Sequence, residues 1–210
     1  MRANITLLLL LSLVFGEPGS GFAQVGDTIP TAVKARNFDR VYPAQEGIYR
    51  VKKDGKFGYV SSSGNTLASV SFDKAADFKE GLARVEKEGK MGFIDLTGAT
   101  VIPLQFERAW SFHQGRALVK QGNQYGFVDT LGTMVIPADF DHAQSFSEGL
   151  ALVSLDGKYG FSDLNGKIVI PLKYDEAWPF FEGKAWVRSG PDWYYVDSTG
   201  ICVADCPDGL

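Results

Sequence analysis

Glycines and aromatic residues recur along this chain at a fixed interval of 34 residues. Phe78, Phe112, Phe146 and Phe180 form one series, and Gly47, Gly81, Gly115, Gly149 and Gly183 form a second. Gly58, Gly92, Gly126 and Gly160 form a third, and Gly64, Gly98, Gly132, Gly166 and Gly200 a fourth. Phe72, Phe106, Phe140 and Tyr174 make a fifth, extended backwards by Phe38. Series that keep one register without insertion demand a single unit copied in tandem, because such a unit buries its apolar face only by stacking on its neighbours. The units are read as residues 44–77, 78–111, 112–145, 146–179 and 180–210, behind a lead-in with a partial repeat at 24–43.

Within a unit the apolar runs are short. In the fourth copy they are Gly149-Leu-Ala-Leu-Val-Ser-Leu, Lys158-Tyr-Gly-Phe-Ser-Asp and Lys167-Ile-Val-Ile-Pro. Runs of this length suit strands rather than helices. The first two are joined by Asp54-Gly55, Glu88-Gly89, Gly122-Asn123, Asp156-Gly157 or Gly190-Pro191. Asp-Gly fits a type I′ hairpin, in which both central residues take positive φ. Gly190-Pro191 needs type II′, because proline holds φ negative. The second and third runs are joined by Asp-x-x-Gly at Asp95, Asp129, Asp163 and Asp197, a type I turn signature. The expected fold is therefore all-β: about five three-stranded antiparallel meanders in an open, curved, β-solenoid-like array. A five-bladed propeller-like ring is the alternative, with the leading tail around Phe38 completing the last head.

The string Phe-x-Glu-Gly-x-Ala-x-Val, followed by aromatic-Gly-Phe-Ile/Val-Asp-x-x-Gly and Val-Ile-Pro, resembles the WG-containing (KWG) repeat family. Phe78-Lys-Glu-Gly81 with Met91-Gly92-Phe93-Ile94-Asp95 carries the match, as do Phe112-His-Gln-Gly115 with Tyr125-Gly126-Phe127-Val128-Asp129. Phe146-Ser-Glu-Gly149 with Tyr159-Gly160-Phe161-Ser162-Asp163 is the third good copy. The Trp-Gly pair itself reads Phe57-Gly58, Met91-Gly92, Tyr125-Gly126 and Tyr159-Gly160, and in the last unit Trp193 is followed by Tyr194. Ser69 and Asp205 stand in the outer units where Pro103, Pro137 and Pro171 stand in the middle ones. The resemblance implies a binding or scaffolding array and no particular chemistry.

Met1-Arg2, an apolar run from Ile5 to Phe15 and the small residues Gly21 and Ala23 read as a secretory signal peptide over 1–23, cleaved before Gln24. The run is about half the roughly 20 residues that span a bilayer. Secreted or periplasmic localisation follows, with no transmembrane segment after cleavage. Losing Arg2 and Glu17 leaves the net charge at −4, which argues against a nucleic-acid partner. Cys202 and Cys206 are the only cysteines. Export favours a disulfide, and a bridge within one chain requires a turn at Ala204-Asp205, since an extended segment of that length exceeds the ~7 Å limit between Cα atoms. The alternative is that each cysteine pairs with another chain.

No catalytic, cofactor or metal site is expected. His113 and His142 fall at different repeat positions and have no convergent partner, so both read as surface polar residues. Glu46, Glu80, Gln114, Glu148 and Glu182 share one position, and Asp39, Asp73, Glu107, Asp141 and Asp175 another. Residues present in every copy are best explained by a turn or contact that every copy needs. Positions that vary are the better candidates for binding. Trp110 and Trp178 share a slot with Ala76 and Gln144, and the two tryptophans are the candidate ligand-binding residues, with shielding of a repeat interface as the bland alternative. The functional expectation is a non-catalytic exported module that binds or scaffolds a protein or glycan. A hydrolase of envelope polysaccharide or peptidoglycan acting through rim carboxylates is the rival, and a purely structural envelope component the third reading.

Overall fold

The computed structural model describes residues 28–207; the expected signal peptide lies outside them. Five antiparallel sheets of four strands follow one another along the chain. The first is β1 (Arg40–Val41), β2 (Ile48–Lys53), β3 (Lys56–Ser61) and β4 (Thr66–Phe72), hydrogen-bonded in that order. The second is β5 (Lys74–Ala75) to β8 (Thr100–Phe106), and the third β9 (Arg108–Ala109) to β12 (Met134–Phe140). The fourth is β13 (His142–Ala143) to β16 (Ile168–Tyr174). The fifth is β17 (Glu176–Ala177), β18 (Ala185–Ser189), β19 (Asp192–Val196) and β20 (Cys202–Ala204).

Each sheet is the expected three-stranded meander plus a two-residue strand at its edge. That strand comes from the tail preceding the head: Arg40 and Val41 pair with Lys52 and Val51, and Glu176 and Ala177 with Arg188 and Val187. The sheets are thus shifted in phase from the units read in the sequence. The leading tail completes the first sheet rather than the last, so it closes no ring. Among the described residues no strand pairing joins the first sheet to the fifth, and the array is open.

The hairpins have the predicted chemistry. Asp54-Gly55, Glu88-Gly89 and Asp156-Gly157 have positive φ at both residues, whereas Gly122 and Gly190 alone do so in their pairs. The last strand of each of the first four sheets carries a bulge opposite Gly58, Gly92, Gly126 or Gly160. There it passes so close that a Cβ on Gly92 would lie 2.4 Å from the Ile102 carbonyl oxygen.

The core lies between sheets. In the second and third, Phe93, Ile102 and Phe106 face Ala109, Phe112, Ala117, Val119 and Val128. One face of each sheet meets its predecessor and the other its successor, which is why the strands read as nearly continuous apolar runs. At each junction an edge-to-face ring pair forms: Tyr59–Phe78, Phe93–Phe112, Phe127–Phe146 and Phe161–Phe180, with centroids 4.8 to 5.1 Å apart. At the N-terminal end a single helical turn, α1 (Thr31–Lys34), stands in for a preceding sheet. Its Val33 is buried in one cluster with Val51 and Val60, and the Gly64 turn rests on the Ala32 carbonyl as the Gly98 turn rests on that of Leu67.

Candidate functional site

Among the described residues nothing covers the outer face of the fifth sheet in this way. On β18 the alternation of a strand sends Ala185 and Val187 into the core against the fourth sheet and leaves Trp186 on the opposite face. Val196 and Tyr194 likewise point inward, and Tyr195 outward. Trp178, from the segment between β17 and β18, joins Trp186 at 5.6 Å and Trp193 at 5.3 Å between ring centroids. Trp186 lies 4.3 Å from Trp193 and stacks on Tyr195 at 6.3 Å. Lys184 Nζ sits 4.6 Å from the Tyr195 ring centroid, and the Arg188 guanidinium 5.8 Å from that of Trp193, both within cation–π range. A cleft of about 240 Å³ opens here, lined by Trp178, Pro179, Phe181, Lys184, Trp186 and Tyr195. Trp178 is 48% exposed and Phe181 71%.

The repeated carboxylates explain the rest of the surface. Glu80 accepts hydrogen bonds from the backbone N–H groups of Gln114 and Gly115 in the next unit, at 2.8 and 2.9 Å. Gln114 accepts from Gly149 N–H at 3.0 Å, and Glu148 from Gly183 N–H at 2.9 Å. Each of these residues, with its following glycine, forms a positive-φ turn that the next copy's turn stacks upon. The second series works within a sheet. Asp39, Asp73, Asp141 and Asp175 accept from the N–H groups of Asp54, Glu88, Asp156 and Gly190 at the hairpin tips. In the third series Asp95 Oδ1 accepts from Thr97 and Ala99 across its own turn, and Asp129, Asp163 and Asp197 do the same. Among the described residues no group of three or more His, Cys, Asp or Glu side chains is placed to hold a metal.

A family profile described as WG containing repeat matches residues 33–57, 57–90, 91–125, 125–159 and 159–190. The chain belongs to the WG-containing repeat family. Among curated proteins none matches it. Among solved structures, Kluyveromyces lactis Hsv2 is similar at 10% identity and a TM-score of 0.46, over 75% of this chain and 59% of that one. A eukaryotic initiation factor is similar at 12% identity and a TM-score of 0.49, over 79% and 54%. A Bacteroides caccae protein of unknown function is similar at 14% identity and a TM-score of 0.30, over 82% and 86%. The WG-repeat chain thus spans between a half and two thirds of the first two.

Of the two tryptophans singled out in the WG-repeat sequence, only Trp178 joins the open cluster. Trp110 is half-buried, packs on the core between the third and fourth sheets, and faces Tyr125 at 6.0 Å. Trp186, Trp193 and Tyr195 escaped the sequence reading because they occupy other repeat positions, and only the hairpin brings them beside Trp178. One signal was present: three of the four tryptophans fall between positions 178 and 193. His113 and His142 are half-buried rather than exposed. His113 contacts Lys79 Nζ, and His142 sits between Tyr125 and Tyr159. Cys202 and Cys206 are bonded to each other, with Cα atoms 5.8 Å apart and the turn made at Asp205, whose φ is positive.

Proposed function

We propose that this WG-repeat chain is an exported, non-catalytic binding or scaffolding module for a protein or glycan, and that it engages its partner with the aromatic outer face of the fifth sheet. The observation that carries this reading is the gathering of Trp178, Trp186, Trp193 and Tyr195 on a sheet face that nothing in the described chain covers. Large apolar side chains exposed together mark contact sites, and tryptophan is the residue most enriched at binding hot spots. The bridged cysteines support an oxidising compartment.

A hydrolase would need a carboxyl group held protonated near neutrality. Two carboxylates at the hairpin rim are biased the other way. The hydrogen bond from Lys158 and that from Gly190 N–H hold Asp175 below the usual carboxylate range, and Lys56 with Glu88 N–H does the same for Asp73.

Intrinsic tryptophan fluorescence tests the reading against a panel of soluble peptides and oligosaccharides. A true ligand shifts the emission saturably, and Trp178→Ala weakens it by roughly 1–2 kcal/mol, as hot-spot truncations do, while Trp110→Ala leaves affinity unchanged. Binding that survives Trp178→Ala and Trp186→Ala places the site elsewhere.

A further inference from the structure

The open cleft has four filled counterparts inside the same molecule. At the junction of the fourth and fifth sheets, Phe180 packs edge-to-face on Phe161 and is buried in one cluster with Leu152. Three residues on, the N–H of Gly183 donates to Glu148. One Phe-x-Glu-Gly turn therefore docks by two contacts: its ring enters an apolar slot, and its glycine N–H meets a carboxylate beside that slot. The same pair of contacts joins the second sheet to the third through Phe112 and Gly115, and the third to the fourth through Phe146 and Gly149, there with the Gln114 amide oxygen in place of the carboxylate. It also joins the first to the second through Phe78 and Gly81.

One period further along, the receiving residues are Tyr195, Trp186 and Glu182. Leu152, in the filled slot, is 1% exposed, whereas Trp186 is 39% exposed. Among the described residues none donates a hydrogen bond to Glu182, and no ring from a following unit reaches Tyr195. The substitutions at this end also fit an occupant. Trp186 stands where Leu118 and Leu152 stand, and Phe181 where Lys79, His113 and Ser147 stand, which extends the apolar walls where a face meant only for solvent would be made polar.

Resting on the binding-module reading above, we propose that this cleft receives a partner polypeptide through a turn of the same kind, in which an aromatic residue is followed three positions later by glycine. The aromatic ring enters between Trp186, Trp178 and Tyr195, and the glycine N–H donates to the Glu182 carboxylate. A WG repeat of another protein, displaying its leading turn, has the required chemistry. A second copy of this chain does not, because its leading turn carries Ala44 in place of the phenylalanine and its N-terminal end is covered by α1.

The probe is a backbone-cyclised peptide holding residues 144–150 of the chain, Gln-Ser-Phe-Ser-Glu-Gly-Leu, titrated to millimolar concentration against the full chain and followed by tryptophan fluorescence. Saturable binding is expected. Alanine in place of the peptide's phenylalanine should weaken it at least about tenfold. On the protein, Glu182→Ala should weaken it by roughly fivefold, and Glu182→Gln by less, since Gln114 accepts the same bond. Thermal melts of the variants verify folding, and both Glu182 changes lie on an exposed turn. No saturable binding, or binding indifferent to the peptide's phenylalanine and to Glu182, overturns the proposal. If chito- or cello-oligosaccharides bind through Trp178 while the peptide does not, the binding-module reading survives and this one falls. If neither binds, both fall. Self-association lost in Trp186→Ala, with no peptide binding, assigns the cleft to a second copy and also overturns it.

Discussion

The two faces of the fifth sheet are built from one repeat pattern and end differently. On the inner face, Ala185, Val187, Tyr194 and Val196 close against Leu152, Phe161 and Ile170, and all seven are buried. On the outer face, Trp186 and Tyr195 hold the positions of Leu152 and Phe161 but meet no following sheet among the described residues. The comparison shows that a core junction and a binding cleft here are one geometry, with and without an occupant. It also shows where the last unit changes the rule. Gly160 lets the last strand of the fourth sheet cross tightly and run on for seven residues into the next tail. Tyr194 occupies that position in the fifth unit, and there the last strand is only Cys202–Ala204 before the bridged turn.

The sharpest way to break this comparison is to move the fifth unit's residue into the fourth. In Gly160→Tyr the added Cβ would start 2.5 Å from the Ile170 carbonyl oxygen, a backbone atom that cannot step aside. The expected loss exceeds roughly 4 kcal/mol, in the range reserved for disrupted cores, and is read as a collapse of the melting temperature. A near-native melt would mean that the bulge, not the glycine, sets the close approach. Next in size is Phe146→Ala, which empties a filled slot against Phe127 and should cost about 3–5 kcal/mol. At about 2–4 °C per kcal/mol for a chain of this length, the melt falls by roughly 10 °C. Phe181→Ala, on the open side, should stay within about 0.5 kcal/mol of the parent. Equal effects would show that the outer face is covered in solution.

The period, the hairpin types and the local cysteine bridge were legible because each is encoded within a few residues. Asp156-Gly157 and Gly190-Pro191 declare their turns by the φ values they permit. The two-residue edge strands were not legible, since Arg40-Val41 has no strand character of its own and becomes one only by pairing with Val51 and Lys52. The contacts of Glu80 and Glu148 were visible as a recurrent need but not as a bond, because their partners lie about a full repeat away. For the aromatic end, Trp178 was legible as a variable slot. Its sister Trp110 has the same sequence credentials and a different fate, because a fourth sheet covers it and, among the described residues, none does the same for Trp178.

Acid should affect inner and outer turns alike. Asp95 is held low chiefly by the Thr97 hydroxyl, and Asp197 in the fifth unit chiefly by that of Thr199. A depressed carboxylate contributes stability that is fully present above its ordinary value of 3.8 and is lost as the pH falls through the lower folded value. Melting temperatures should therefore hold steady above about pH 4–5 and decline below it. Asp95→Asn and Asp197→Asn should each flatten that decline by a similar small amount. A clearly larger change for Asp95 would mean that the turns of the fifth unit are not equivalent to those inside.

One pair of exposed glutamates isolates the junction most cleanly. Glu148 and Glu182 occupy the same turn position with nearly the same φ, 52° and 51°, and both side chains are exposed. Replacing either by alanine therefore imposes the same backbone cost, since any residue with a Cβ is strained there to a similar degree. What differs is the acceptor: Glu148 receives the Gly183 N–H of the following unit, and Glu182 receives nothing from the described chain. The difference between the two melts is thus the worth of one cross-repeat hydrogen bond at an exposed rim, about 0.5–1 kcal/mol. That corresponds to one to four degrees at this chain length, with Glu148→Ala the less stable. Adding the cyclised turn peptide should then raise the melting temperature of Glu148→Ala more than that of Glu182→Ala, because both keep the aromatic slot and only the first keeps the Glu182 acceptor. If the two variants melt together, the repeated glutamate serves its own turn rather than its neighbour's, and Glu182 is no marker of an empty place.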